Sequence, residues 1–181
     1  MRTEELWRSD VEEGLIDKLP KRIARDIRNI PYPVSKLQPV GSYYMHGPVG
    51  TGKTLWAAWM FLEACKQRWL AGQAMDVYFT KSTEFFHTIK GFYMEPTGGE
   101  LAYINTLSDC YLLIMDDFGT ERPSDWAISL LYLLIDRRYE NDGLTIFTSN
   151  LSLEEAAKRL GDDRITARIE RMCQIIHKKE L

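Results

Sequence analysis

Gly47-Pro48-Val49-Gly50-Thr51-Gly52-Lys53-Thr54 matches the phosphate-loop pattern G-x-x-x-x-G-K-[ST] at each fixed position. A backbone that wraps a polyphosphate must turn sharply and bring its N–H groups close to oxygen, and glycine permits both. Lys53 supplies a point charge for the β- and γ-phosphates. The hydroxyl of Thr54 suits Mg²⁺, and a helix opening near Lys53 aims its unpaired N–H groups at the same anion. Gly47, Pro48, Val49, Gly50, Thr51, Gly52, Lys53 and Thr54 are therefore the candidate nucleotide cradle, with ATP and Mg²⁺ as the expected ligands. The flanks fit. Ser42-Tyr43-Tyr44-Met45-His46 reads as a short buried strand, and Lys53 to Leu70 contains no Gly or Pro and repeats Leu55, Trp59, Leu62 and Trp69 at roughly helical spacing.

The second informative stretch is Tyr111-Leu112-Leu113-Ile114-Met115-Asp116-Asp117. An apolar run that ends in two acids is what a central parallel strand looks like where it opens on a ligand crevice. Asp116 is placed to hold the metal opposite Thr54, and Asp117 to orient or polarise the attacking water. A third strand-like run, Leu144-Thr145-Ile146-Phe147-Thr148-Ser149-Asn150, also ends in polar residues. Asn150 or Ser149 can reach the water or the γ-phosphate. Alternatively, Asn150-Leu151-Ser152 only turns the chain and caps the next helix, since Glu155 stands three residues beyond Ser152.

The 181 residues are 45% hydrophobic and 27% charged, a globular composition with room for one domain. A net charge of −3 argues against coating nucleic acid by bulk charge, while leaving room for a local basic patch. Cys65, Cys110 and Cys173 are odd in number and set among apolar residues, as reduced core thiols are. No apolar run reaches membrane-spanning length and the start lacks a signal-peptide core, so no membrane association and a cytoplasmic location are expected.

Residues 1–40 are expected to form an amphipathic helix and an extended lead-in. Leu15, Leu19, Ile23, Ile27 and Ile30 mark the apolar stripe, and Pro31, Pro33 and Pro39 break the pattern. The basic residues between them are a solvated face or a partner-binding one. Residues 41–181 form the second unit. In it Met75–Thr80 reads as a strand, 81–90 as a helix, and Gly91–Gly99 as a Gly/Pro-rich loop. Lys90, Phe92 and Tyr93 in that region either stack on single-stranded bases or tuck into the core. Arg137 and Arg138, near the end of the helix that Ser124 caps, serve the helix dipole or a subunit contact. Arg164, Arg168 and Arg171 recur as one basic stripe, opposite Ile165, Ile169 and Met172. Such a stripe is a solvated face or a source of an arginine for a neighbour's γ-phosphate. His46, His87 and His177 do not cluster in sequence, so no histidine catalysis is expected. The alternation of strands and helices predicts an α/β, three-layer P-loop NTPase with a central parallel sheet.

Taken together, the phosphate loop, Leu112–Gly119, Asp136-Arg137-Arg138-Tyr139, Thr148-Ser149-Asn150-Leu151 and Arg164-Ile165-Thr166-Ala167-Arg168-Ile169 resemble the AAA+ ATPase core of DnaC/DnaI-type replicative-helicase loaders over roughly residues 40–177. IstB-type transposition helper ATPases share almost all of these features. The resemblance implies Asp116 on the metal side, Asp117 as the activating acid, Asn150 as γ-phosphate sensor, and Arg168, with Arg164 beside it, reaching into the adjacent subunit. It further implies a helical insertion near 81–107 that meets single-stranded DNA, and a ring helicase as partner. Set against that family pattern, little or no lid domain is expected. The expected function is an ATP-hydrolysing loader in DNA replication that self-associates through Arg168. A transposition helper is the runner-up, and a P-loop small-molecule kinase is the alternative of another class.

Overall fold

A computed structural model describes residues 2–30, 41–94 and 99–179. Among the described residues, five parallel strands run β1 (Ser42–His46), β2 (Val77–Lys81), β3 (Leu112–Asp116), β4 (Leu144–Ser149) and β5 (Cys173–His177), in the spatial order β2-β3-β4-β1-β5. Parallel neighbours require crossovers, and each crossover here is helical. Helix α4 (Lys53–Leu70) links β1 to β2, and α5 (Ser82–Met94) with α6 (Gly99–Asp109) lies between β2 and β3. Helix α7 (Asp125–Glu140) links β3 to β4, and α8 (Leu153–Leu160) with α9 (Asp163–Met172) links β4 to β5.

The interior strand β3 is buried at every position because both of its faces are covered. Leu112 and Ile114 pack toward α4 and the N-terminal helices, while Leu113 and Met115 pack toward the layer that contains α5 to α9. That alternation follows from the two-residue period of a strand, and it divides the interior into two apolar layers around one sheet. Each fully buried Leu or Ile contributes roughly 1.5–3 kcal/mol relative to exposure.

The N-terminal segment is helical but broken into short pieces, and its apolar stripe is only partly buried. Helix α1 (Glu4–Trp7), a π-helical turn (Arg8–Glu12) and α2 (Glu13–Ile16) precede α3 (Lys21–Asn29), with Pro20 at the start of α3. Trp7, Leu15, Ile16, Leu19 and Ala24 are buried in the layer that holds α4, whereas Ile30 is left largely exposed. The prolines at 31, 33 and 39 lie outside the described residues.

The expectation of a loop over 91–99 is corrected. Helix α5 continues through Gly91 to Met94, and a helix starts again at Gly99; residues 95–98 are outside the described set. Buried Phe85 and Ile89, one turn apart, anchor α5 and outweigh the glycine at its end. The region in which the resemblance implies a helical insertion, 81–107, carries α5 and most of α6 among the described residues.

Arg138 is corrected more sharply. Its side chain is wholly buried: Nε donates to Thr145 Oγ1 at 2.8 Å, and the terminal nitrogens donate to the carbonyls of Leu107, Ser108, Cys110 and Leu144. It ties the end of α6, the approach to β3 and the start of β4 to α7. Neither the helix dipole nor a subunit contact describes it.

Candidate functional site

The cradle begins with Gly47, where the chain leaves β1. Its φ is +144°, and a Cβ there would stand 2.1 Å from the carbonyl oxygen of Lys178, so this approach of backbone to backbone admits only glycine. Gly52, at φ +80°, turns the chain into α4 and leaves the first N–H groups of the helix facing the loop. Lys53 is buried under the loop, with Nζ donating to the carbonyls of Gly47 at 2.8 Å and Pro48 at 2.7 Å. Burial lowers its pKa, and the charges of Asp116 and Asp117 oppose that shift.

Thr54 donates its hydroxyl to Asp116 Oδ1 at 2.8 Å, across the gap between α4 and the end of β3. A hydroxyl and a carboxylate sharing one edge are hard oxygen donors of the kind Mg²⁺ takes, so the residues present fit that ion. The same Asp116 oxygen accepts from Thr148 at 2.5 Å, and Thr148 Oγ1 in turn accepts the backbone N–H of Asp117 at 3.1 Å. Sequence reading passed over Thr148. Its signal is a hydroxyl on a strand whose neighbour Phe147 is core.

Asp117 adopts φ +57°, a left-handed conformation that is uncommon for a residue with a side chain. It aims its carboxylate into the cleft, where Asn150 Nδ2 donates to Oδ1 at 3.4 Å. Burial raises the Asp117 pKa, with like charge from Asp116 and Glu121 adding to it and Lys81 and Lys53 opposing it. A carboxylate of raised pKa is a stronger base toward water. Ser149, the last residue of β4, is buried and gives its hydroxyl to the Phe118 carbonyl at 2.6 Å, whereas Asn150 just beyond it is exposed; both line the cleft.

These groups line one cleft of about 510 Å³ that brings together Lys53, Thr54, Asp116, Asp117 and Asn150. Lys81, at the end of β2, also lines it, as do Ile23 and Asp26 of α3. Neither Lys81 nor Asp26 was singled out in the sequence, and Ile23 was read only as part of the N-terminal apolar stripe. Their place depends on which strand neighbours β3 and on how α3 lies across α4.

Other candidates lie elsewhere. Arg164 and Arg168 line a separate groove of about 520 Å³ between α8 and α9. Arg164 pairs with Asp162 at 2.7 Å, and Arg168 donates to Asp136 and Tyr132. On α5, Lys90 is exposed, Phe92 is half-buried against Tyr103, and Tyr93 is 65% exposed with its ring 5.2 Å from Trp126. Phe92 thus packs inward while Tyr93 stays at the surface. His46 and His177, far apart in sequence, stack with centroids 4.8 Å apart because β1 and β5 run in register. His46 has its pKa lowered by burial first and His177 second.

Comparison with known proteins agrees with this architecture. A family model described as IstB-like ATP binding protein matches residues 15–181. The replicative helicase loader DnaC of Escherichia coli (strain K12) is 26% identical over 123 residues, which cover 68% of this chain and 48% of that protein. The chain thus spans about half the length of the curated relatives it matches. The crystal structure of the DnaC helicase loader superposes with a TM-score of 0.65 at 25% identity, covering 98% of this chain and 100% of that one. The crystal structure of DnaI gives 0.64 at 21% identity, with 99% and 95% covered. The fold is that of AAA+ P-loop ATPases. Among the described residues no helix is long and apolar enough to cross a membrane.

Proposed function

Because the chain belongs to the family of IstB-like ATP binding proteins, we propose that it binds and hydrolyses ATP as an AAA+ protein of the helicase-loader type, acting in DNA replication in the cytoplasm. The observation that carries the ATPase part is the contact of Thr54 with Asp116 at 2.8 Å, made beside the buried Lys53. In this reading the loop N–H groups and Lys53 bind the phosphates. Thr54 and Asp116 hold Mg²⁺, which neutralises phosphate charge when bound. Asp117 takes the proton of the attacking water, and Asn150 keeps the Asp117 carboxylate and the γ-phosphate in one frame.

Arg168 lies outside its own cleft, which supports a role in a neighbour's site, with Arg164 beside it. Self-association then completes each ATP site. The similarity to the DnaC loader supports a ring helicase as partner, and the exposed Tyr93 beside Lys90 supports contact with single-stranded DNA. The family description also names IstB, so a transposition helper working on duplex DNA is the competing outcome. A small-molecule kinase has no support in the family match.

The test is ATP turnover against protein concentration, with single-stranded or duplex DNA, for the parent chain and Arg168→Ala. Turnover per chain should rise with concentration and with single-stranded DNA and collapse in the variant. A flat rate indifferent to both rejects the shared site, and stimulation by duplex alone favours the transposition helper.

A further inference from the structure

The guanidinium of Arg168 carries five N–H donors. Nε donates to Asp136 Oδ1, Nη2 donates to the Tyr132 hydroxyl at 2.7 Å, and Nη1 donates to the Arg164 carbonyl at 3.2 Å. Each of these contacts uses one hydrogen, so one N–H remains on each terminal nitrogen. The Tyr132 ring braces the group as well, since the guanidinium carbons of Arg168 and Arg164 each lie 4.6 Å from its centroid. Arg168 is only partly covered, at 25% side-chain exposure, and it borders the open groove between α8 and α9.

A free arginine side chain carries about 2 kcal/mol of rotamer entropy, and a fork already held in place loses less of it on meeting an oxyanion. Ion pairing with Asp136 leaves the two remaining hydrogens available, one per terminal nitrogen, which is the set a bidentate oxyanion contact requires. We propose that Asp136 and Tyr132 are positioning residues for Arg168: they hold its guanidinium rigid on α9 so that the two remaining N–H groups meet phosphate oxygens bound to a second copy of this chain. This inference rests on the reading that Arg168 completes a neighbour's ATP site. It adds that α7 of the donating chain, through Tyr132 and Asp136, governs how well the arginine works.

A mixing experiment separates the two. A receiver chain carries Arg168→Ala and keeps its own loop; a donor chain carries Lys53→Ala and keeps its own arginine. The mixture should hydrolyse ATP although neither chain alone does. Adding Tyr132→Phe or Asp136→Asn to the donor should lower kcat of the mixture by about tenfold with KM for ATP little changed. The same changes in the receiver, where no arginine is left to hold, should leave the mixture's rate as it was, an asymmetry that a general loss of structure would not produce. Tyr132→Phe removes a single oxygen, and an unchanged melting temperature shows that the donor is folded. If the parent mixture fails to complement, the shared-site reading falls and takes this inference with it. Complementation that is indifferent to Tyr132 and Asp136 in the donor overturns the inference alone.

Discussion

Thr148 and Asp116 stand on neighbouring parallel strands, and the Thr148 hydroxyl donates to Asp116 Oδ1 over 2.5 Å while accepting the backbone N–H of Asp117. One side chain therefore holds both acids at the mouth of the cleft. Replacing Thr148 with Val keeps the shape and removes the bridge, taking the hydroxyl partner from the Asp117 N–H and leaving Asp116 Oδ1 with Thr54 alone. Thr148→Val should cost about 1–3 kcal/mol in urea unfolding and reduce ATP turnover, and Thr148→Ser should recover most of both. A valine variant with full activity would remove Thr148 from the account.

Arg138→Lys is the second test. Lysine keeps the charge but cannot supply the planar fork that serves Thr145 and four carbonyls. The variant should be destabilised by about 3 kcal/mol or more and express poorly, whereas Arg137→Lys, on a helix end in contact with Asn105, should differ by less than about 1 kcal/mol. Equal stability of the two variants would contradict the buried tie.

Mg-ATP should raise the melting temperature of the parent chain, because a ligand that binds only the folded state at a hundred times its Kd adds about 2.7 kcal/mol. Lys53→Ala and Asp116→Asn should lose that shift while keeping the melting temperature measured without nucleotide near the parent value. A retained shift in Lys53→Ala would place the nucleotide elsewhere.

His46 has a folded pKa below its unfolded one, so the fold favours the neutral ring. That contribution is complete above the unfolded value of about 6.5 and is lost as pH falls from there through the folded pKa. Burial is the main cause, the stacked His177 and the Lys53 charge add to it, and Glu155 opposes it. His46→Gln should therefore show a smaller drop in melting temperature between pH 7.5 and pH 5 than the parent. An unchanged or steeper drop would assign the acid sensitivity to other groups.

Tyr93→Ala and Phe92→Ala should part company. Tyr93 is exposed beside Lys90, and losing one base-stacking ring costs about 1–3 kcal/mol of single-strand affinity without harm to the fold. Phe92 is half-buried against Tyr103, so its truncation should lower stability first. Fluorescence anisotropy with a labelled oligonucleotide, alongside thermal melts, reads both. Affinity that survives Tyr93→Ala together with Lys90→Ala would move the DNA surface away from the end of α5.

The elements that carry their own local cause were legible in the sequence. The phosphate loop, the apolar run into Asp116 and Asp117, the Ser124 cap, and the Ser152–Glu155 capping box with Gly161 behind it each occupy a few consecutive residues whose backbone preferences agree. Spacing alone put Ile165 and Ile169 inward. What the sequence could not reveal depends on which strands lie side by side. The order β2-β3-β4-β1-β5 sets Thr148 against Asp116, brings Lys81 to the cleft and stacks His46 on His177, although these partners stand far apart along the chain. Arg138 shows the limit most directly. Local reasoning leaves a cation at a helix end in solvent, and only the convergence of the α6 end with β3 and β4 surrounds it with carbonyls whose pairing repays its burial. Local propensity is written residue by residue, whereas the partner of a buried polar group is chosen by the packing of the whole sheet.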